Sequence, residues 1–213
     1  MKGNGRLLRR DLIHEKVRGR LTYLVSEDYS YKTEAYYRIL ALEMEGREVV
    51  PSTKDLLEAY VVPVCLARAE KAGIPVCGWG ISDERVPLPS LLYGISYFAD
   101  PSEYSLVRDR ETADEVVKYI TGNGKYPFCY QPIPLDAEIV PCVTIFGRTA
   151  GASEPLADLA ARVYREFRIP LMEVVTVFNG EGRLSAITPC WYSKLTREEK
   201  GILEGVLREE CHG

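Results

Sequence analysis

Between Leu21 and Ser52 the hydrophobic period changes twice, which limits the chain to folds built from strand–helix–strand units. Leu21-Thr22-Tyr23-Leu24-Val25 is a short apolar, β-rich run and reads as a strand. Asp28, Ser30 and Thr33 then offer side-chain caps for a helix starting near Lys32. Ala35, Tyr36, Ile39, Leu40 and Met44 give that helix a broad apolar face, with Glu34, Arg38 and Glu45 on the other side. Gly46 stops it, because glycine tolerates the left-handed conformation just past a helix end. Glu48-Val49-Val50 begins the next strand before Pro51-Ser52.

Four of the 14 tyrosines fall within nine residues of this unit: Tyr29, Tyr31, Tyr36 and Tyr37. The free amides and dipole of a helix N-terminus favour anions. Tyr29, Tyr31, Lys32 and Thr33 would add hydroxyl and ammonium donors to a carboxylate or phosphate. Tyrosines at helical spacing also pack cores and interfaces, with their hydroxyls bonded to backbone. Both readings stand at this level.

A chain of 213 residues can bury a good core, and we expect a single domain at 21–213 behind a basic polar arm at 1–20. Arg6, Arg9, Arg10, Lys16, Arg18 and Arg20 make that arm basic, with a short helix expected around Leu7–Val17. The formal net charge of −4 argues against a nucleic-acid binder, which would show a basic field. No apolar run approaches the roughly 18 residues of a membrane span, and no signal-peptide core is visible, so no membrane partner and a cytoplasmic chain are expected. The six cysteines are scattered without paired spacing and read as small buried apolar residues.

Further along, Ser52 or Thr53 caps a helix that Pro63 kinks or restarts before it ends at Gly73. Ile74–Cys77 is a short strand candidate, and Leu91–Phe98 fits a helical turn or an edge strand equally well. Tyr104–Val107 looks like a strand, and Thr112 with Glu115 has the pattern of a capping box. Phe128–Gln131 and Glu138–Phe146 read as strands. Ser153 opens the clearest helix, in which Leu156, Leu159, Ala160, Val163, Tyr164 and Phe167 keep the three-and-four spacing. Met172–Phe178 and Leu184–Ile187 form a hairpin across Asn179-Gly180-Glu181-Gly182, and Thr196 with Glu199 boxes a last helix at about Arg197–Glu210. The expected class is α/β or α+β: one mixed sheet, flanking helices and a C-terminal hairpin plus helix.

With only His14 and His212, a histidine-based metal site or triad is not expected, and no cofactor is expected either. Neither a Walker-type loop nor a G-x-G-x-x-G fingerprint is present. Gly147-Arg148-Thr149 follows a strand and precedes the Ser153 helix, a placement that suits an anion, or simply a polar loop with a helix cap.

Three blocks of residues resemble the domain found N-terminal to RimK-like ATP-grasp ligases (RLAN). The first is Tyr29-x-Tyr31-x-Thr33-x-Ala35-Tyr36-Tyr37, then Leu40, Glu43, Gly46 and Pro51-Ser52. The second is Ile145-Phe146-Gly147-Arg148-Thr149. The third runs through Leu159-Ala160, Arg162, Tyr164, Phe167, Pro170-Leu171, Ile187-x-Pro189 and Leu195. Ala35 stands where the family has glycine, and Glu45 where it often has arginine. The resemblance implies an association with carboxylate–amine ligation, in a chain that ends where the ligase half would begin.

The expected role is therefore an accessory module that recognises an amino-acid or peptide ligand and works with a separate ATP-grasp ligase. Alternatives are a self-associating interaction protein, with a homo-oligomer as partner, or an enzyme using Tyr29, Tyr31, Lys32, Arg148 and Glu173. The candidate ligand residues are Tyr29, Tyr31, Lys32, Thr33, Tyr36, Tyr37, Gly147, Arg148 and Thr149, with no metal site.

Overall fold

The hairpin foreseen at the C-terminal end is the frame of the molecule. In the computed structural model, which describes residues 14–208 except 19, 32, 85, 97–98 and 100–102, β9 (Leu171–Asn179) and β10 (Glu181–Thr188) turn at Gly180 and pair antiparallel. Both strands are buried over most of their length, β9 along Leu171–Val177 except Glu173 and β10 along Leu184–Thr188. β8 (Glu138–Ile145) pairs with β9 on its other edge, giving the order β10-β9-β8.

The opening unit forms as its pattern dictates. β2 (Leu21–Val25) leads to α1 (Glu34–Met44) and returns through β3 (Glu48–Val50), parallel to β2. Thr33 caps α1 by accepting the Tyr36 amide at 3.2 Å. Gly46 adopts φ +77° just past the helix end. The helix expected at Leu7–Val17 is a strand where its residues are described: β1 (His14–Arg18) pairs antiparallel with β2. Glu15 there bridges Arg38 and Arg47. Residues 7–13 of that expectation lie outside the described residues. The resulting sheet, β1-β2-β3, is mixed.

α2 (Thr53–Tyr60) and α3 (Val62–Lys71) are separated at Val61, with Pro63 in the first turn of α3, where its missing amide proton costs nothing. Ile74–Cys77 is not a strand. It makes one isolated bridge, Val76 to Leu184, and the next strand is β4 (Gly80–Ser82). The undecided stretch becomes β5 (Ser90–Gly94), a central strand buried along Ser90–Tyr93. Tyr97 and Phe98 lie outside the described residues. With β6 (Tyr104–Val107) and β7 (Phe128–Pro132) it builds an antiparallel sheet of order β4-β7-β5-β6. α4 (Arg110–Ile120) is capped by Asp109, which accepts the Thr112 amide at 2.9 Å, and not by the Thr112–Glu115 box. The Thr196–Glu199 box does form in both directions, opening α6 (Arg197–Arg208). Ser153 occupies the cap position of α5 (Glu154–Phe167) without a side-chain cap bond. The chain is thus α+β, a single domain with six helices and three sheets among the described residues.

One core joins α1, α2, α3 and α5 to the hairpin, through Ile39, Leu42, Leu56, Leu66, Val163 and Phe167 with Val174, Val177, Leu184 and Ile187. A smaller cluster of Val25, Ile145, Leu171, Cys190 and Leu203 seats α6. Where α2, α3 and α5 meet, Arg68 bonds Asp55, Glu58 and Glu166 at 2.7–2.8 Å and lies 4.7 Å from the Phe167 ring centroid. Three carboxylates gathered round one guanidinium repel each other once it is removed. Arg68→Ala is therefore expected to cost about 2 kcal/mol of stability, part of which high salt returns, as read by urea melts at two ionic strengths.

Candidate functional site

The loop between β2 and α1 rests on Tyr29, which is fully buried. Its hydroxyl donates to the Leu24 carbonyl at 3.1 Å and accepts the Ser26 amide at 2.9 Å. Burial pushes this phenol far above its ordinary pKa, so it stays neutral. Tyr31 and Tyr36 meet edge to face at 5.4 Å between centroids, and Tyr37 meets Tyr36 the same way at 6.0 Å. Tyr29, Tyr31 and Tyr36 open onto a half-enclosed cavity of about 350 Å³. Tyr29, Tyr31 and Tyr36 form one side, Leu56, Leu57, Tyr60 and Val61 at the end of α2 another, and Gly94 at the end of β5, with Ile95 and Ser96 after it, a third. None of its described lining residues carries a charge.

Tyr60 is the least settled polar group of this wall. Burial raises its pKa well above the ordinary phenol value. The Tyr29 backbone lies near enough to soften that rise, but no atom completes a hydrogen bond to the hydroxyl. An orphaned buried hydroxyl costs stability, and binding sites are where such groups gather.

Of the residues singled out from sequence, Tyr29, Tyr31 and Tyr36 share this cavity. Tyr37 is half exposed beside it. Thr33 lines a neighbouring smaller cavity with Glu27, Asp28, Glu34 and Trp191, and its hydroxyl also donates to the Ser30 carbonyl. Lys32 lies outside the described residues. Gly147, Arg148 and Thr149 belong to the turn between β8 and α5 and line neither cavity. Ile145 and Arg148 exchange backbone hydrogen bonds there, at 2.8 and 2.9 Å. Glu173, on β9, accepts a hydrogen bond from the Thr188 hydroxyl at 3.3 Å. The α2 end and the β5 end were not anticipated as site residues. The one signal for the former is the apolar run Ala59–Val62 broken by Pro63, which sets Tyr60 and Val61 at a helix junction.

The five described cysteines add no nucleophile here. Burial raises Cys65, Cys77, Cys129 and Cys190 to about 12 and Cys142 to about 11, from an ordinary value of 9.0. These neutral thiols stabilise the fold fully below about pH 9. That stability is lost as pH rises from 9 through 12, because the unfolded chain releases those protons first. A steep fall in urea midpoint between pH 9 and 11 is expected, and a flat profile would contradict it. Among the described residues no group of three or more His, Cys, Asp or Glu is placed to hold a metal, and no helix is long and apolar enough to cross a membrane.

No protein-family model matches the chain, and no curated protein does either. Solved structures do. A RimK domain ATP-grasp protein from Sphaerobacter thermophilus aligns with 82% of this chain and 74% of its own, at 21% identity and a TM-score of 0.59. The fold is ATP-grasp-like. D-alanine–D-alanine ligase from Bacillus anthracis aligns with 78% of this chain and 69% of its own, at 9% identity and a TM-score of 0.59. The ATP-grasp ligase PsnB, solved with a minimal precursor, magnesium and ADP, aligns with 78% of this chain and 62% of its own, at 16% identity and a TM-score of 0.51. At 9–21% identity the likeness is one of fold.

Proposed function

We propose that this protein is a ligand-recognition module of an ATP-grasp ligase system, holding part of an amino-acid or peptide substrate in the tyrosine-lined cavity while a separate ligase activates the carboxylate. The observation that carries this reading is the cavity itself: a preformed pocket of about 350 Å³ whose floor is locked and whose rim is accessible. The ATP-grasp-like fold supports the ligase setting. The resemblance of the Tyr29–Tyr37 block to RLAN domains agrees with it.

A second reading, that this chain performs ligation itself, is favoured by the extent of the fold likeness. The two are separated by purifying the chain, with any partner it retains from its own cells, and measuring ATP-dependent phosphate release. An identified ATP-grasp ligase in the complex, with release that needs both proteins, is the expected result. Release by the pure chain with ATP and magnesium alone would overturn the accessory role in favour of the second reading.

A further inference from the structure

We infer that the cavity between the β2–α1 loop, the end of α2 and the end of β5 takes an uncharged aromatic ring, such as the side chain of an aromatic amino acid or peptide residue, and not an anion. The inference rests on the recognition reading for the location of the site, and deepens it by naming the ligand's chemistry. It does not need a ligase partner.

Four observations carry it. The described lining holds four tyrosines with Leu56, Leu57, Val61 and Ile95, and no ionised side chain that could neutralise a buried phosphate or carboxylate. The Tyr29 hydroxyl, which an anion would need as a donor, is held by Leu24 and Ser26, so the floor presents a ring. Tyr31 and Tyr36 are already set edge to face, so a third ring entering beside Leu57 and Val61 continues that arrangement. The α1 terminus, the other place for an anion, is capped by Thr33 and carries Glu34 in its first turn. Ser30 and Ser96 supply hydroxyls for the polar part of the ligand.

The test is calorimetric titration of the full chain with N-acetyl-tryptophanamide, N-acetyl-leucinamide, acetate and inorganic phosphate. The capped tryptophan is expected to bind at least tenfold more tightly than the capped leucine, and neither anion is expected to compete. Leu57→Arg, which sets a charge at the half-exposed rim, is expected to weaken binding at least tenfold. Tyr31→Leu is expected to erase most of the preference for tryptophan over leucine. Thermal melts of both variants confirm that they fold. Equal affinity for the two amides, competition by phosphate or acetate, unchanged binding by folded Leu57→Arg, or no heat with the capped tryptophan at millimolar concentration would each overturn the inference. Free tryptophan separates the sources: affinity equal to the capped form assigns the ring to a free amino acid, and a tenfold loss assigns it to a peptide side chain. Binding by a chain whose preparations release no phosphate from ATP, alone or with any partner, would defeat the accessory reading and leave the ring assignment standing.

Discussion

Gly147→Ala is expected to lose about 2–4 kcal/mol of stability, seen as a melting temperature lower by roughly 5–15 °C. Two costs combine. Gly147 has φ +79°, a conformation that residues with a Cβ rarely adopt. A Cβ there would also lie 2.8 Å from Cδ1 and 3.2 Å from Cγ of Tyr164. That ring cannot swing aside freely, because it packs 6.2 Å from Phe146, which in turn packs 5.9 Å from Tyr23 of β2. The turn therefore locks β8, α5 and the first sheet together, which accounts for a glycine here without a ligand. Adding Tyr164→Leu to Gly147→Ala is expected to return the steric part and leave the backbone part. Full recovery would show that the left-handed turn is not required.

Ser185→Ala is the second large effect, on the order of 3 kcal/mol. Ser185 sits where the pairing of β9 with β10 shifts register. Its hydroxyl lies 2.6 Å from that of Tyr93 on β5 and donates to Gln131 Oε1 on β7 at 2.7 Å. Gln131 Nε2 donates back to the Ser185 carbonyl at 2.9 Å. All three residues are buried, so water cannot replace the missing hydroxyl. The change orphans one group on each of two strands and loosens the β4-β7-β5-β6 sheet from the hairpin sheet. Tyr93→Phe in the Ser185→Ala background is expected to cost far less than in the wild type, since its partner is already gone. Additive losses in a double-mutant cycle would dissolve the network.

Elements whose pattern has one clear period were legible from residues alone. α5, the β9–β10 hairpin, the Thr33 cap and the Thr196–Glu199 box all form where the sequence places them. β5 was ambiguous because a strand buried on both faces has no alternation to read. β1 was missed because charged His14–Arg18 looks like a solvated arm, and only its ladder with β2 makes it a strand. Half of the site was visible as a tyrosine cluster. The rest was not, because Tyr60, Val61 and Gly94 join it only through tertiary packing, and the Pro63 break beside Tyr60 and Val61 marks a helix junction and not a binding position. The ATP-grasp-like fold was reached from sequence only through the RimK-like resemblance, since the likeness shows in backbone arrangement at 9–21% identity.

The most direct measurement is ligation by the co-purified ATP-grasp enzyme, with wild-type chain or with Leu57→Arg chain added back. Turnover is expected to rise with the wild-type chain and to stay at the enzyme-alone level with folded Leu57→Arg. Equal stimulation by the two chains would contradict a role for the tyrosine-lined cavity in recognition.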